Sequence, residues 1–103
     1  MSRRILPARR GSTTFTMLWQ GTKFEVSLGT FPDDGCAAEV FISATKPGSQ
    51  VQSIGRDAAI LLSLALQHGV PLGLIRHAIS RDEQERPQSI VGAVVDAFAE
   101  AVP

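Results

Sequence analysis

The chain has 103 residues, enough for one domain with a core of its own but little room for a deep enzymatic cleft as well. Ten basic and ten acidic residues cancel, so overall charge argues for neither a nucleic-acid nor a membrane-surface partner. The single cysteine, Cys36, excludes an internal disulfide framework and a multi-cysteine metal site, and it suits a reducing, cytoplasmic setting.

The basic residues are unevenly spread. Arg3, Arg4, Arg9 and Arg10 all precede Gly11, leaving six basic against ten acidic residues after it. Residues 1–10 therefore read as a basic N-terminal arm, interrupted by Leu6-Pro7, and residues 11–103 as a single acidic domain. The arm has no apolar run of the kind a secretory signal needs. The longest nearly apolar stretch, Ala58 to Leu66, is far short of the roughly 20 residues that span a bilayer, so no membrane role is expected.

Phe15, Met17 and Trp19 alternate with Thr16 and Leu18, and Phe24, Val26 and Leu28 alternate with Glu25 and Ser27. Period two predicts strands, and the intervening Gln20-Gly21-Thr22-Lys23 predicts a tight hairpin. Pro32 to Gly35 form a second turn signal before a third strand, in which Val40 and Ile42 oppose Glu39 and Phe41. The three strands are expected to form an antiparallel meander.

The period changes at "KPGSQVQ". Ser49 and Gln52 have capping-box spacing, in which each side chain satisfies a free N–H of the first helical turn. At 100° per residue, Val51, Ile54, Ala58, Leu61, Leu62 and Ala65 share one arc, predicted to face the core. Gln52, Arg56, Ser63 and Gln67 form a polar stripe opposite. Ile60 and Leu64 lie beside that stripe, on the side predicted to see water. This places the helix either at the centre of the domain or against another subunit, and it makes a homodimer through Ile60 and Leu64 the expected assembly.

Gly69 is predicted to end this helix in the left-handed conformation, with Pro71 opening a second one that carries Leu72, Ile75 and Ile79. "SRDEQERPQ" is a charged connector. From about Ser89, the residues Ile90, Val91, Val94, Val95 and Phe98 predict a third amphipathic helix. The expected fold is α+β, a three-stranded antiparallel β-meander covered by three α-helices.

The stretch Leu64-Ser80 has the small-residue, glycine and isoleucine skeleton of a DNA-binding helix-turn-helix. In that alternative, Arg76 and His77 would contact DNA. Leu72 and Gly73, at the start of the second helix, cannot make the bidentate contacts that read base edges, and the body is acidic. Close packing of two helices across a tight turn accounts for the same residues, so a nucleic-acid partner is not expected. Cys36 follows Asp33 and Asp34, whose charge disfavours a thiolate, so a buried structural thiol is expected rather than a reactive one. His68 and His77 do not show zinc-site spacing with Cys36. Asp82, Glu83 and Glu85 alternate with Arg81 and Arg86, as a solvated loop does. No residue is assigned a catalytic, cofactor-binding or metal role. The arginine arm is the candidate interaction element, through Arg3, Arg4, Arg9 and Arg10 and contacts to phosphate or an acidic partner.

Taken together, "LPARRGSTTF", "GTKFEVSLG", "AAEVFI", "KPGS" and "LLSLALQHGVPL" resemble a known module. It is the TSCPD-type domain found near the C-terminus of adenosylcobalamin-dependent (class II) ribonucleotide reductases and as short free-standing proteins. The resemblance runs from about Leu6 to Phe98, although the literal Thr-Ser-Cys-Pro-Asp string is absent. It implies a helical hairpin packed on a small sheet, and a role in deoxyribonucleotide synthesis. The reductases need a thiyl-radical cysteine, a redox-active pair and a catalytic barrel, which one cysteine cannot supply. The resemblance therefore implies an accessory, assembly or regulatory module with no cofactor of its own. A class II reductase catalytic chain is the expected partner, and adenosylcobalamin is implied only for that chain.

Overall fold

The computed structural model describes residues 2–44 and 49–102. Lys46, Pro47 and Gly48 of the predicted turn lie outside the described residues. In chain order the elements are β1 (Ser12–Trp19), β2 (Thr22–Thr30), β3 (Ala37–Ala44), α1 (Gln50–Gln67), α2 (Leu72–Ala78) and α3 (Ile90–Ala101). The architecture is the expected α+β arrangement of three antiparallel strands and three helices.

The sheet order is β1-β2-β3. Trp19 pairs with Thr22, so only Gln20 and Gly21 close the first hairpin, and both have the positive φ of a primed turn, at 47° and 79°. Period two then sorts the side chains. Phe24, Val26 and Leu28 of β2 join Val40, Ile42 and Ala44 of β3 on the buried face. Phe15, Met17 and Trp19 of β1 pack against that cluster. The opposite face carries Thr14, Thr16, Glu25, Ser27 and Phe41, of which Thr14 bonds Ser27 and Thr16 bonds Glu25.

The helices cover the buried face. Gly55, Ala59, Leu62 and Leu66 of α1 are buried beside β3, and Ile90, Val94, Val95 and Phe98 of α3 complete the core. Ser49 caps α1 by accepting from the Gln52 N–H at 3.1 Å, and Ser89 caps α3 by accepting from Gly92 at the same distance. Gly69, at φ 90°, ends α1 in a Schellman motif: Val70 N–H donates to the Ala65 carbonyl and Gly69 N–H to Leu66.

Two sequence expectations need correction. The arc of Val51, Ile54 and Leu61 does not face the core: all three are exposed, Leu61 by 68%. Ser63 and Gln67 of the polar stripe point inward instead, while Arg56 stays exposed. Ser63 Oγ accepts from Val40 N–H at 2.9 Å and has the Ala59 and Val40 carbonyls within donating distance at 2.8 and 3.1 Å, while Gln67 Nε2 donates to the Ala38 carbonyl at 3.1 Å. β3 is an edge strand, and its outward-pointing backbone groups need partners once α1 covers them. Ser63 and Gln67 supply them, and that requirement sets the rotation of the helix. Cys36 is the second correction. It is exposed rather than buried, because the "PDDG" turn holds it outside the β3 ladder.

A charged staple fixes α2 to α3. Arg81 bonds both carboxylate oxygens of Asp96 and reaches the carbonyls of Arg76 and Glu85, while Arg76 Nε meets Asp96 at 3.1 Å. The Arg81 hydrogen bond, then the nearby charge, holds the Asp96 carboxyl below its ordinary range. A group so lowered contributes fully above its unfolded pKa, near 3.9, and loses that contribution as pH falls through its native value. Asp96→Ala is therefore expected to cost about 1–2 kcal/mol at neutral pH, allowing for partial exposure. Urea unfolding across pH checks this: the two stability curves should converge in acid, and equal stabilities at pH 7 would refute the staple.

Candidate interaction surface

The N-terminal arm is strapped to the domain at one end of α1. The Arg4 N–H donates to the Gln67 carbonyl at 2.7 Å, and Arg3 Nε donates to the Gln67 side-chain oxygen at 2.7 Å. Gln67 is 5% exposed and so ties the arm, α1 and β3 together with one side chain and one carbonyl. The Arg4 guanidinium lies 3.7 Å from the Phe31 ring centroid and pairs with both Asp33 and Asp34. Arg10 pairs with Glu39, whose side chain lies across Gly29. A Cβ at Gly29 would come within 2.6 Å of Glu39 Cγ, so glycine is what lets this ion pair sit against the sheet.

The four arm arginines are thus not equivalent. Arg4 and Arg10 are committed to carboxylates of their own chain. Arg3 is held at Gln67 without an ion pair, and Arg9 is exposed with none, among the described residues.

A groove of about 440 Å³ runs between α1 and β3, with Phe41, Ile60 and Leu64 as its apolar wall and Arg3 and Arg56 on its rim. Ile60 is 49% exposed and Leu64 37%, so both candidate interface residues do reach solvent. Ile54 at 59% and Leu61 at 68% extend the apolar surface around the outer side of α1. Periodicity alone had placed these two in the core.

The remaining candidates are separated from this surface. Arg76 is tied to Asp96, and α2 buries no residue; His77 is exposed. A seven-residue helix whose arginine is bound to its neighbour has no observation in favour of reading a DNA groove. Asp82 accepts from the backbone of Gln84 and Arg86 and pairs with the Arg86 side chain, so the acidic loop is bonded within itself. Among the described residues no group of three His, Cys, Asp or Glu side chains is placed to hold a metal ion. The Cys36 N–H donates to Asp34 Oδ1 at 2.9 Å, and the thiol is pushed up by its hydrogen bond to Asp34 and then by local desolvation. Asp96 was missed by sequence reasoning. Its partner Arg81 lies fifteen residues away, outside any local spacing rule. Among the described residues, no helix is long and apolar enough to cross a membrane.

Similarity to known proteins is confined to part of very large chains. Over 70 residues, 68% of this chain and 6% of the relative, the sequence is 39% identical to the vitamin B12-dependent ribonucleotide reductase of Bradyrhizobium diazoefficiens. Over 83 residues, 81% of this chain and 8% of the relative, it is 35% identical to the reductase of the same name from Rhodopirellula baltica. The corresponding protein of Agrobacterium fabrum gives 39% over 70 residues, 5% of its length. No family model and no solved structure matches. The chain is therefore similar to one segment of vitamin B12-dependent ribonucleotide reductases, and it spans less than a tenth of these three relatives.

Proposed function

We propose that the chain is a non-catalytic accessory, assembly or regulatory module of class II ribonucleotide reduction, docking on a cobalamin-dependent catalytic chain in the cytoplasm. The observation that carries this reading is the segmental match to vitamin B12-dependent ribonucleotide reductases. The chemistry of the chain supports the accessory half. Reducing a ribose 2′-hydroxyl through a disulfide consumes two thiols besides a radical one, and these 103 residues hold one cysteine. That thiol is held toward its protonated form by Asp34, the opposite of what a nucleophile needs.

The described recesses also fit poorly with a corrin cofactor. Two of them measure about 520 and 440 Å³, within the range for drug-sized ligands and small for a corrin. In this reading the cobalamin belongs to the catalytic chain.

Mixing the full chain with a purified cobalamin-dependent reductase tests the proposal. Co-elution, together with a change of at least about twofold in nucleotide-reduction turnover, is the expected result. Neither co-elution nor a turnover change, with the chain folded, would defeat it. Cys36→Ser is expected to preserve that effect fully. Alkylation of Cys36 should also have its half-rate point above the ordinary thiol range and shift down in Asp34→Asn. Loss of the turnover effect in Cys36→Ser would return the thiol to a chemical role.

A further inference from the structure

The groove between α1 and β3 carries charge that its own chain leaves uncompensated. Three charged residues line it: Arg3, Arg56 and Glu39. Glu39 is neutralised by Arg10, whereas neither Arg3 nor Arg56 forms an ion pair among the described residues. Arg3 is also held in place. Its Nε donates to Gln67, a buried side chain anchored to the Ala38 carbonyl, so the rest of the guanidinium is presented from a fixed point. Phe41, Ile60 and Leu64, all exposed large apolar side chains, line the same recess. Two cations beside an apolar wall are complemented by an anionic partner with an apolar body.

Spacing then decides between one anion and two. Arg56, Ile60, Ser63 and Gln67 stand at i, i+4, i+7 and i+11 of α1, on one stripe that lines the groove. Arg56 and the Gln67 that holds Arg3 are therefore about 16 Å apart along the helix axis. A single compact anion is small against that length, but a segment of chain is not. Extended residues rise about 3.3 Å each, so carboxylates four positions apart stand about 13 Å apart on one face, with the residue midway between them on that face too. The long arginine stem takes up the difference. Strand addition is closed over much of this edge, since Ser63 and Gln67 already occupy the outward backbone groups of Val40 and Ala38. An occupant is held here through its side chains.

We propose that this groove binds an extended acidic segment of a partner protein. Two carboxylates four residues apart meet Arg3 and Arg56, and an apolar residue between them packs on Phe41, Ile60 and Leu64. The proposal does not depend on the reductase reading. A chain that binds such a segment yet leaves every cobalamin-dependent reductase unaffected would uphold this inference and remove the other.

Titration of the full, isotope-labelled chain with the end-capped peptide Gly-Glu-Thr-Leu-Thr-Glu-Gly tests it through backbone amide shifts. Saturable shifts centred on Phe41, Ile60 and Leu64 are expected, with a dissociation constant below about 1 mM that rises at least about threefold from about 50 to about 500 mM salt. Arg3→Ala and Arg56→Ala should each weaken binding about fivefold and Ile60→Ser about threefold. The same peptide with lysines in place of its glutamates should not bind. Circular dichroism should show Arg56→Ala and Ile60→Ser folded as the parent is, since both side chains are exposed. No shifts at millimolar peptide, equal binding of the lysine peptide, or full binding by either arginine variant would overturn the proposal. So would inorganic phosphate or hexanoate matching the peptide's affinity, which would make the groove a general anion site. A dimer in sedimentation that the peptide does not dissociate and Ile60→Ser does would likewise overturn it, making a second copy the occupant.

Discussion

The fold depends on how the outer edge of β3 is satisfied. Once a helix covers that edge, the backbone groups of Ala38 and Val40 are shut away from water, and each left unpaired would cost about 1–3 kcal/mol. Ser63 and Gln67 meet that need from α1. The helix therefore cannot turn its largest apolar arc inward without withdrawing both side chains. Leaving a leucine or isoleucine half exposed forfeits on the order of 1–2 kcal/mol each, while the inward face still buries Ala59, Leu62 and Leu66. Edge satisfaction and partial apolar burial together outweigh the larger arc, and the excess apolar surface of α1 is the residue of that competition.

Gln67 carries a second constraint from the same position. Its amide donates to Ala38, its side-chain oxygen accepts from Arg3, and its backbone carbonyl accepts from Arg4. The start of the chain, the end of α1 and the start of β3 are thereby held at one point. This alters what the arginine arm can do. Arg4 and Arg10 neutralise Asp33, Asp34 and Glu39, so the basic cluster that the sequence displays is half consumed inside the molecule. What remains is a pair of guanidiniums at different sites, which suits discrete carboxylate contacts better than a grip on a polyanion.

Most of the fold was legible because it rests on local signals. Alternation in β1 and β2, the serines at 49 and 89, and Gly69 each act within a few residues, and the structure uses them as their chemistry dictates. The misread features were non-local. An apolar arc reports which residues would benefit from burial, but it does not know that a strand edge lies beside the helix asking for hydroxyl and amide partners. Cys36 was expected in the interior because the adjacent carboxylates disfavour a reactive thiolate, yet the turn at Asp33 and Asp34 keeps it outside the ladder. Asp96 looked like an ordinary polar position on an amphipathic helix until Arg81 and Arg76 converged on it. Of the candidate surface, Ile60 and Leu64 could be read from the helical wheel. Arg3 as their neighbour could not, since only the strap at Gln67 brings it there.

The two sides of the domain left open are unlike in kind. The outward side of β1 pairs with no strand among the described residues, but its neighbours Thr14 and Thr16 are polar, and water can satisfy an open ladder at little net cost. Short polar side chains on an edge also discourage unwanted pairing. The outer face of α1 has no such recourse, because water does not compensate exposed leucine and isoleucine. Of the two, the helix is the surface whose free energy improves most on being covered. Asp57 lies among those exposed side chains, so a purely apolar cover would strand its carboxylate.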